Sequence, residues 1–132
     1  MKVCKFGGTS VASAEQIKKV ADIVKSDPAR KIIVVSAPGK RFPEDEKVTD
    51  LLIRLAMATV NKEDVTAELE EVVNRYRLIA QGLNLDQEII HIIANDLKKR
   101  LNPNREDESL FLDCIKTQGA DNKQNQIADT IN

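Results

Sequence analysis

MKVCKFGGTSV, residues 1–11, places a charged residue, Lys5, in an apolar stretch that runs straight into the glycine pair Gly7-Gly8 and the hydroxyls of Thr9 and Ser10. Val3, Cys4 and Phe6 suit a short strand. The two glycines after it let the backbone turn tightly or lie close to a ligand, because neither carries a Cβ. Ser13 then opens an amphipathic segment with Gln16 at capping-box spacing. Strand, glycine turn and helix follow one another, and an ammonium group arrives at the turn. Backbone N–H groups at a helix start favour anions and a lysine adds a point charge, so the segment outlines a phosphate site. It is neither a G-x-G-x-x-G fingerprint nor a Walker A loop. A plainer reading stays open, with Gly7-Gly8 as a simple turn and Lys5 snorkelling from an edge strand.

Moving outward, Ile17, Val20, Ala21 and Val24 mark one face of a helix over 13–26, closed at Asp27-Pro28 because the residue before proline leaves the helical region. Ile32, Ile33, Val34 and Val35 form a β-branched run that reads as a strand buried on both sides. Ser36-Ala37-Pro38-Gly39-Lys40 ends it. Strand, helix and strand make a βαβ unit with a parallel sheet, in which ligands sit at the carboxyl ends of the strands. Lys5 to Ser10 and Ser36 to Lys40 therefore share one sheet edge.

Residues 40–48, KRFPEDEKV, read as a charged surface loop with freedom to move. Thr49 is expected to cap the next helix, which packs Leu51, Leu52, Leu55 and Ala58 inward, and Asp50 suits its dipole. Val65, Leu69, Val72, Tyr76, Ile79 and Leu83 form a second stripe, with Gly82 at its terminus. Leu85, Ile89, Ile93 and Leu97 form a third, ending near Leu101. The pair predicts a helical hairpin. Glu68, Glu70, Glu71, Arg75 and Arg77 read as its solvated face. A shorter helix over 106–116, a polar turn over 117–122 and a last helix with Ile127, Ala128 and Ile131 complete the pattern.

The 132 residues are 42% hydrophobic and 31% charged, with 20 basic and 21 acidic side chains. That balance suits a soluble globular domain. With 3% aromatics and no basic run, nucleic-acid binding has no support. No apolar run spans a bilayer and no signal-peptide pattern follows Met1, so no membrane role is expected. Cys4 and Cys114 read as buried free thiols, which fits the cytoplasm. His91, the sole histidine, cannot build a zinc cluster and is expected to pack between helices, so no metal ligand is assigned. Only two strands are legible, and a two-stranded sheet is marginal by itself, so the chain reads as the front part of a larger domain.

Three motifs now stand at ordered spacing: Lys5-Phe6-Gly7-Gly8-Thr9-Ser10-Val11, then Val34-Val35-Ser36-Ala37-Pro38-Gly39-Lys40, then Val48-Thr49-Asp50-Leu51-Leu52. Together they resemble the amino-terminal part of an aspartate kinase of the amino-acid kinase family. The resemblance implies an α/β fold, an αβα sandwich of which residues 1–132 are the amino-terminal portion, with the helical hairpin as an insertion. It implies ATP with Mg²⁺ as phosphoryl donor, L-aspartate as acceptor and 4-phospho-L-aspartate as product. By the same resemblance Lys5 contacts the transferring phosphoryl group, and Gly7, Gly8, Thr9, Ser10 and Ser36 hold phosphate. Ser36, Ala37 and Thr49 bind the aspartate.

The sequence departs from the family pattern at Thr117-Gln118-Gly119-Ala120, where the family's glutamate for the aspartate amino group is replaced by Ala120 and Asp121 follows one step later. The stretches that resemble the nucleotide-binding half and the regulatory ACT domains are absent from these residues, so the chain alone is expected to be inactive. A second expectation is a non-catalytic, kinase-derived binding or interaction module, with self-association through an exposed sheet edge.

Overall fold

The computed structural model describes residues 1–101 and Thr130. Strand β1 spans Lys2–Phe6, a single 3₁₀ turn Thr9–Val11, helix α1 Ala14–Lys25 and strand β2 Arg30–Val35. Helices α2 (Val48–Val60), α3 (Thr66–Gly82) and α4 (Glu88–Arg100) follow. The helix expected over 106–116, the turn with Ala120 and Asp121, Cys114 and the final helix lie outside the described residues.

Local chemistry accounts for most of these boundaries. The Ser13 hydroxyl accepts from the Gln16 N–H at 3.3 Å and starts α1 from an extended residue. The strands pair in parallel, with Val3 opposite Ile32, Lys5 opposite Val34 and Phe6 opposite Val35. Alternation along each strand then sends Phe6, Ile33 and Val35 against α1, where they flank a core of Val11, Ile17, Val20, Val24 and Ile79. Ile79 comes from α3, so α1 lies between the sheet and the end of the hairpin. Gly82 permits that approach: a Cβ there would sit 2.4 Å from the Ala14 Cβ.

A second core joins α2, α3 and α4 through Leu52, Leu55, Val72, Tyr76, Ile93 and Leu97, all at most 3% exposed. Burying one such side chain contributes about 1.5–3 kcal/mol, so this three-helix body is the stable platform behind the loops.

Four expectations are corrected. The run Ile32–Val35 is not buried on both sides among the described residues, since Ile32 and Val34 are 42% and 44% exposed beside Val3 at 65%. These side chains share the face opposite α1, where no described layer covers them. Cys4 is a free but half-buried thiol, on the α1 side of the same strand. His91 is exposed on α4 rather than packed between helices, because the buried stripe of that helix runs through Ile90, Ile93 and Leu97. Arg75 is 5% exposed, although it was read as a solvated charge. No helix among the described residues is long and apolar enough to cross a membrane.

Candidate functional site

The parallel pairing puts the ends of β1 and β2 side by side, and backbone bonds tie the loops that leave them. The Ser36 N–H donates to Phe6 O at 3.1 Å, extending the ladder by one step. The Gly39 N–H donates to Gly8 O at 2.8 Å. Gly8 has an ordinary right-handed backbone, so its value is close approach and not a special φ. A Cβ on Gly8 would lie 3.1 Å from Gly39 Cα, and one on Gly39 would lie 2.7 Å from the Gly8 carbonyl carbon. Each glycine makes room for the other.

The segment after β2 returns to its own start. The Val48 N–H donates to Pro38 O at 2.9 Å, closing the neck of the charged loop. Within it, Arg41 grips Asp45 with Nε on Oδ2 at 2.6 Å and Nη2 on Oδ1 at 2.9 Å. From α3, Arg75 donates to Glu46 O at 2.7 Å and Gly39 O at 3.0 Å, with Asp45 Oδ2 3.6 Å away. The Arg41 hydrogen bond holds the Asp45 carboxyl well below the usual carboxylate range, outweighing burial, which acts in the opposite direction. Burial, reinforced by the charge of Arg41, lowers Arg75 from its ordinary value. The loop read as free to move is therefore tied at its neck and along its inner side.

These ties shape a cavity of about 320 Å³ at the carboxyl edge of the sheet. Gly8, Thr9, Ser36, Ala37 and Thr49 line it, so five of the residues singled out from sequence meet there. Pro38, Gly39, Lys40 and Lys47 complete the wall. Lys5, Gly7 and Ser10 are not among the lining residues. Lys5 is exposed on the open face of the sheet, while Gly7 and Ser10 are exposed at the turn. Lys40 and Lys47 carried no role in the sequence reading, although Lys40 ends one motif quoted for it and Lys47 immediately precedes another.

Thr49 does not cap α2. The Pro38–Val48 bond starts the helix earlier, with Lys47 in extended conformation at the cap position and no side-chain cap. Thr49 falls within the first turn. A lysine at the positive end of a helix opposes the dipole, and an anion held in the pocket relieves that opposition. Among the described residues the Gly8 and Thr9 N–H groups have no acceptor, as expected for the first donors of a 3₁₀ turn. Hydroxyls, open amides and two ammonium groups thus face one cavity, a set of donors and positive charges with no carboxylate among the lining residues. Among the described residues no group of three His, Cys, Asp or Glu side chains is placed to hold a metal ion.

The model of the amino acid kinase family matches residues 1–127. Aspartokinase 3 of Bacillus subtilis (strain 168) is 49% identical over 128 residues, covering 97% of this chain and 28% of that protein. The crystal structure of Clostridium acetobutylicum aspartate kinase superimposes with a TM-score of 0.86 at 32% identity, covering 98% of this chain and 28% of the other. E. coli aspartokinase III, in complex with aspartate and ADP, gives a TM-score of 0.70 at 24% identity over 98% of this chain and 28% of its own, a likeness of fold. The chain thus spans about 28% of the length of these relatives.

Proposed function

The chain belongs to the amino acid kinase family and is homologous to aspartokinases; on that premise we propose that it carries the phosphate and acceptor side of a cytoplasmic aspartate kinase site. The observation that carries this reading is the cavity itself, in which Gly8, Thr9, Ser36, Ala37 and Thr49 converge with Lys40 and Lys47. In the proposed reaction a side-chain carboxylate oxygen of L-aspartate attacks the γ-phosphorus of ATP. The bond from that phosphorus to the β–γ bridging oxygen breaks, and ADP leaves with the electron pair. Such a transfer asks mainly for alignment and charge neutralisation.

The proposed division of work takes Gly8, Thr9, Ser36, Ala37, Lys40, Lys47 and Thr49 from the lining of the cavity and Lys5, Gly7 and Ser10 from the family resemblance. Gly8 and Thr9 amides and the Ser36 hydroxyl hold phosphate oxygens, and Thr49 and Ala37 border the acceptor. Lys40 and Lys47 balance the charge. Lys5 reaches the transferring group from the sheet face, and Gly7 and Ser10 support the turn. The cavity lies near the lower end of the ~300–1,000 Å³ typical of small-molecule sites, which suits a phosphate chain or an amino acid. Among the described residues no three His, Cys, Asp or Glu side chains gather at one point, so no residue is assigned to Mg²⁺, which would accompany the ATP phosphates. The 132-residue chain by itself is expected to bind without turnover.

Calorimetric titration of the folded chain with L-aspartate and, separately, MgATP tests the proposal. Binding of either that is lost in Lys40→Met/Lys47→Met supports it. A folded chain silent toward both refutes it. A second reading, an interaction module, draws on the face of Val3, Ile32 and Val34, which no described layer covers. Sedimentation equilibrium checks it: a monomer at all concentrations removes self-association.

A further inference from the structure

The phosphate-site reading leaves one buried charge without a task. Arg75 belongs to α3, in the hairpin, yet its guanidinium spans the loop that forms the pocket wall. Its acceptors are the carbonyls of Gly39 and Glu46, at 3.0 and 2.7 Å. Each carbonyl immediately precedes a lysine that lines the cavity, Lys40 after Gly39 and Lys47 after Glu46. A guanidinium is planar and presents its donors at fixed spacing, which a lysine cannot do. The separation of the two carbonyls is thereby set, and with it the backbone from which both lysines extend. Like charges facing one cavity repel, so the pair needs a frame that keeps the loop ends together. Asp45, between Arg41 and Arg75, compensates the charge of that frame.

We propose that Arg75 is a positioning residue, holding Lys40 and Lys47 in register for one multiply charged anion such as a phosphate chain, and so coupling the helical hairpin to the pocket. The proposal rests on the phosphate-site reading. It differs from a simple loop clamp in what it changes: a clamp alters stability alone, whereas a positioning residue also alters affinity in a protein that remains folded.

Titration of the whole chain with sodium tripolyphosphate, at a temperature where circular dichroism shows each variant folded, separates the two. Arg75→Lys keeps the charge and loses the fork, and is expected to bind about tenfold more weakly than the parent chain. Lys40→Met/Lys47→Met weakens the parent chain but adds little in the Arg75→Lys background, because residues acting through one another are not additive. Equal affinity of Arg75→Lys and the parent, or strictly additive losses, overturns the positioning role alone. Absence of binding by the parent overturns the phosphate-site reading and this role together. Should Arg75→Lys fail to fold, the guanidinium proton resonances of Arg75 in the parent chain decide. They shift on saturation with tripolyphosphate if the fork is coupled to the lysines, and a null shift overturns the proposal.

Discussion

Alanine substitution at the three glycines of the pocket edge should produce three different results, although all three residues lie within one small region. At Gly39 a Cβ would stand 2.7 Å from Gly8 C, 2.9 Å from Thr9 N and 3.0 Å from Gly8 O. All three contacts are backbone, so no side chain can swing aside. Overpacking of that kind costs about 1–3 kcal/mol. Pushing the loops apart also stretches the 2.8 Å Gly39–Gly8 hydrogen bond, for about 1 kcal/mol more. Gly39→Ala should therefore lose roughly 2–4 kcal/mol, or some 8–16 °C in Tm at about 4 °C per kcal/mol. Gly8→Ala meets neighbours only at 3.1–3.2 Å and should fall in between. Gly7 meets nothing within 4 Å and has no positive φ, so Gly7→Ala should be neutral or stabilising by about 0.4–1 kcal/mol through the unfolded chain. Urea unfolding of the four proteins measures the order. Equal losses at Gly7 and Gly39 would refute the close-approach argument, since composition and local sequence treat the two alike.

The remaining predictions concern charge and helix contact. The native Asp45 carboxyl lies below its unfolded value, so its contribution is present above pH ~4 and is lost as pH falls through the native value; Asp45→Asn should flatten the acid limb of stability by on the order of 2 kcal/mol. Urea midpoints between pH 2 and 6 check this, and an unchanged acid limb would remove Asp45 as its source. Gly82→Ala places a Cβ 2.4 Å from the Ala14 Cβ and should cost about 1–3 kcal/mol, despite alanine's better helix propensity. Adding Ala14→Gly should recover part of that loss, and a cycle of unfolding energies without coupling would show that α1 and α3 do not meet there.

What could be read in advance was local or followed from period. The Ser13 cap, the turn at Pro28 and the stripes of α3 and α4 depend on neighbours within a turn or two, and the structure contains them. The shared edge of the two glycine-bearing turns was legible because a βαβ order leaves a parallel sheet few alternatives. The mutual fit of Gly8 and Gly39 was not, since it joins residues far apart in sequence. Arg75 was misread despite a usable signal. Val72, Arg75, Tyr76 and Ile79 stand at i, i+3, i+4 and i+7, so the arginine lies on the apolar stripe itself. A charge at such a position needs a buried partner, and Asp45 with two carbonyls supplies it.

The pocket divides its tasks between two kinds of group. Its shape is held by backbone: the Gly8–Gly39 contact, the Pro38–Val48 neck and the two carbonyls on Arg75. Its charge comes from Lys40 and Lys47, long side chains whose residues are exposed. A fixed frame with exposed cations lowers the ordering cost of binding, because only the lysine side chains have to settle on the ligand. Substitutions in the frame should therefore move stability and affinity together, whereas substitutions of the lysines should move affinity alone. That separation follows from where each group sits.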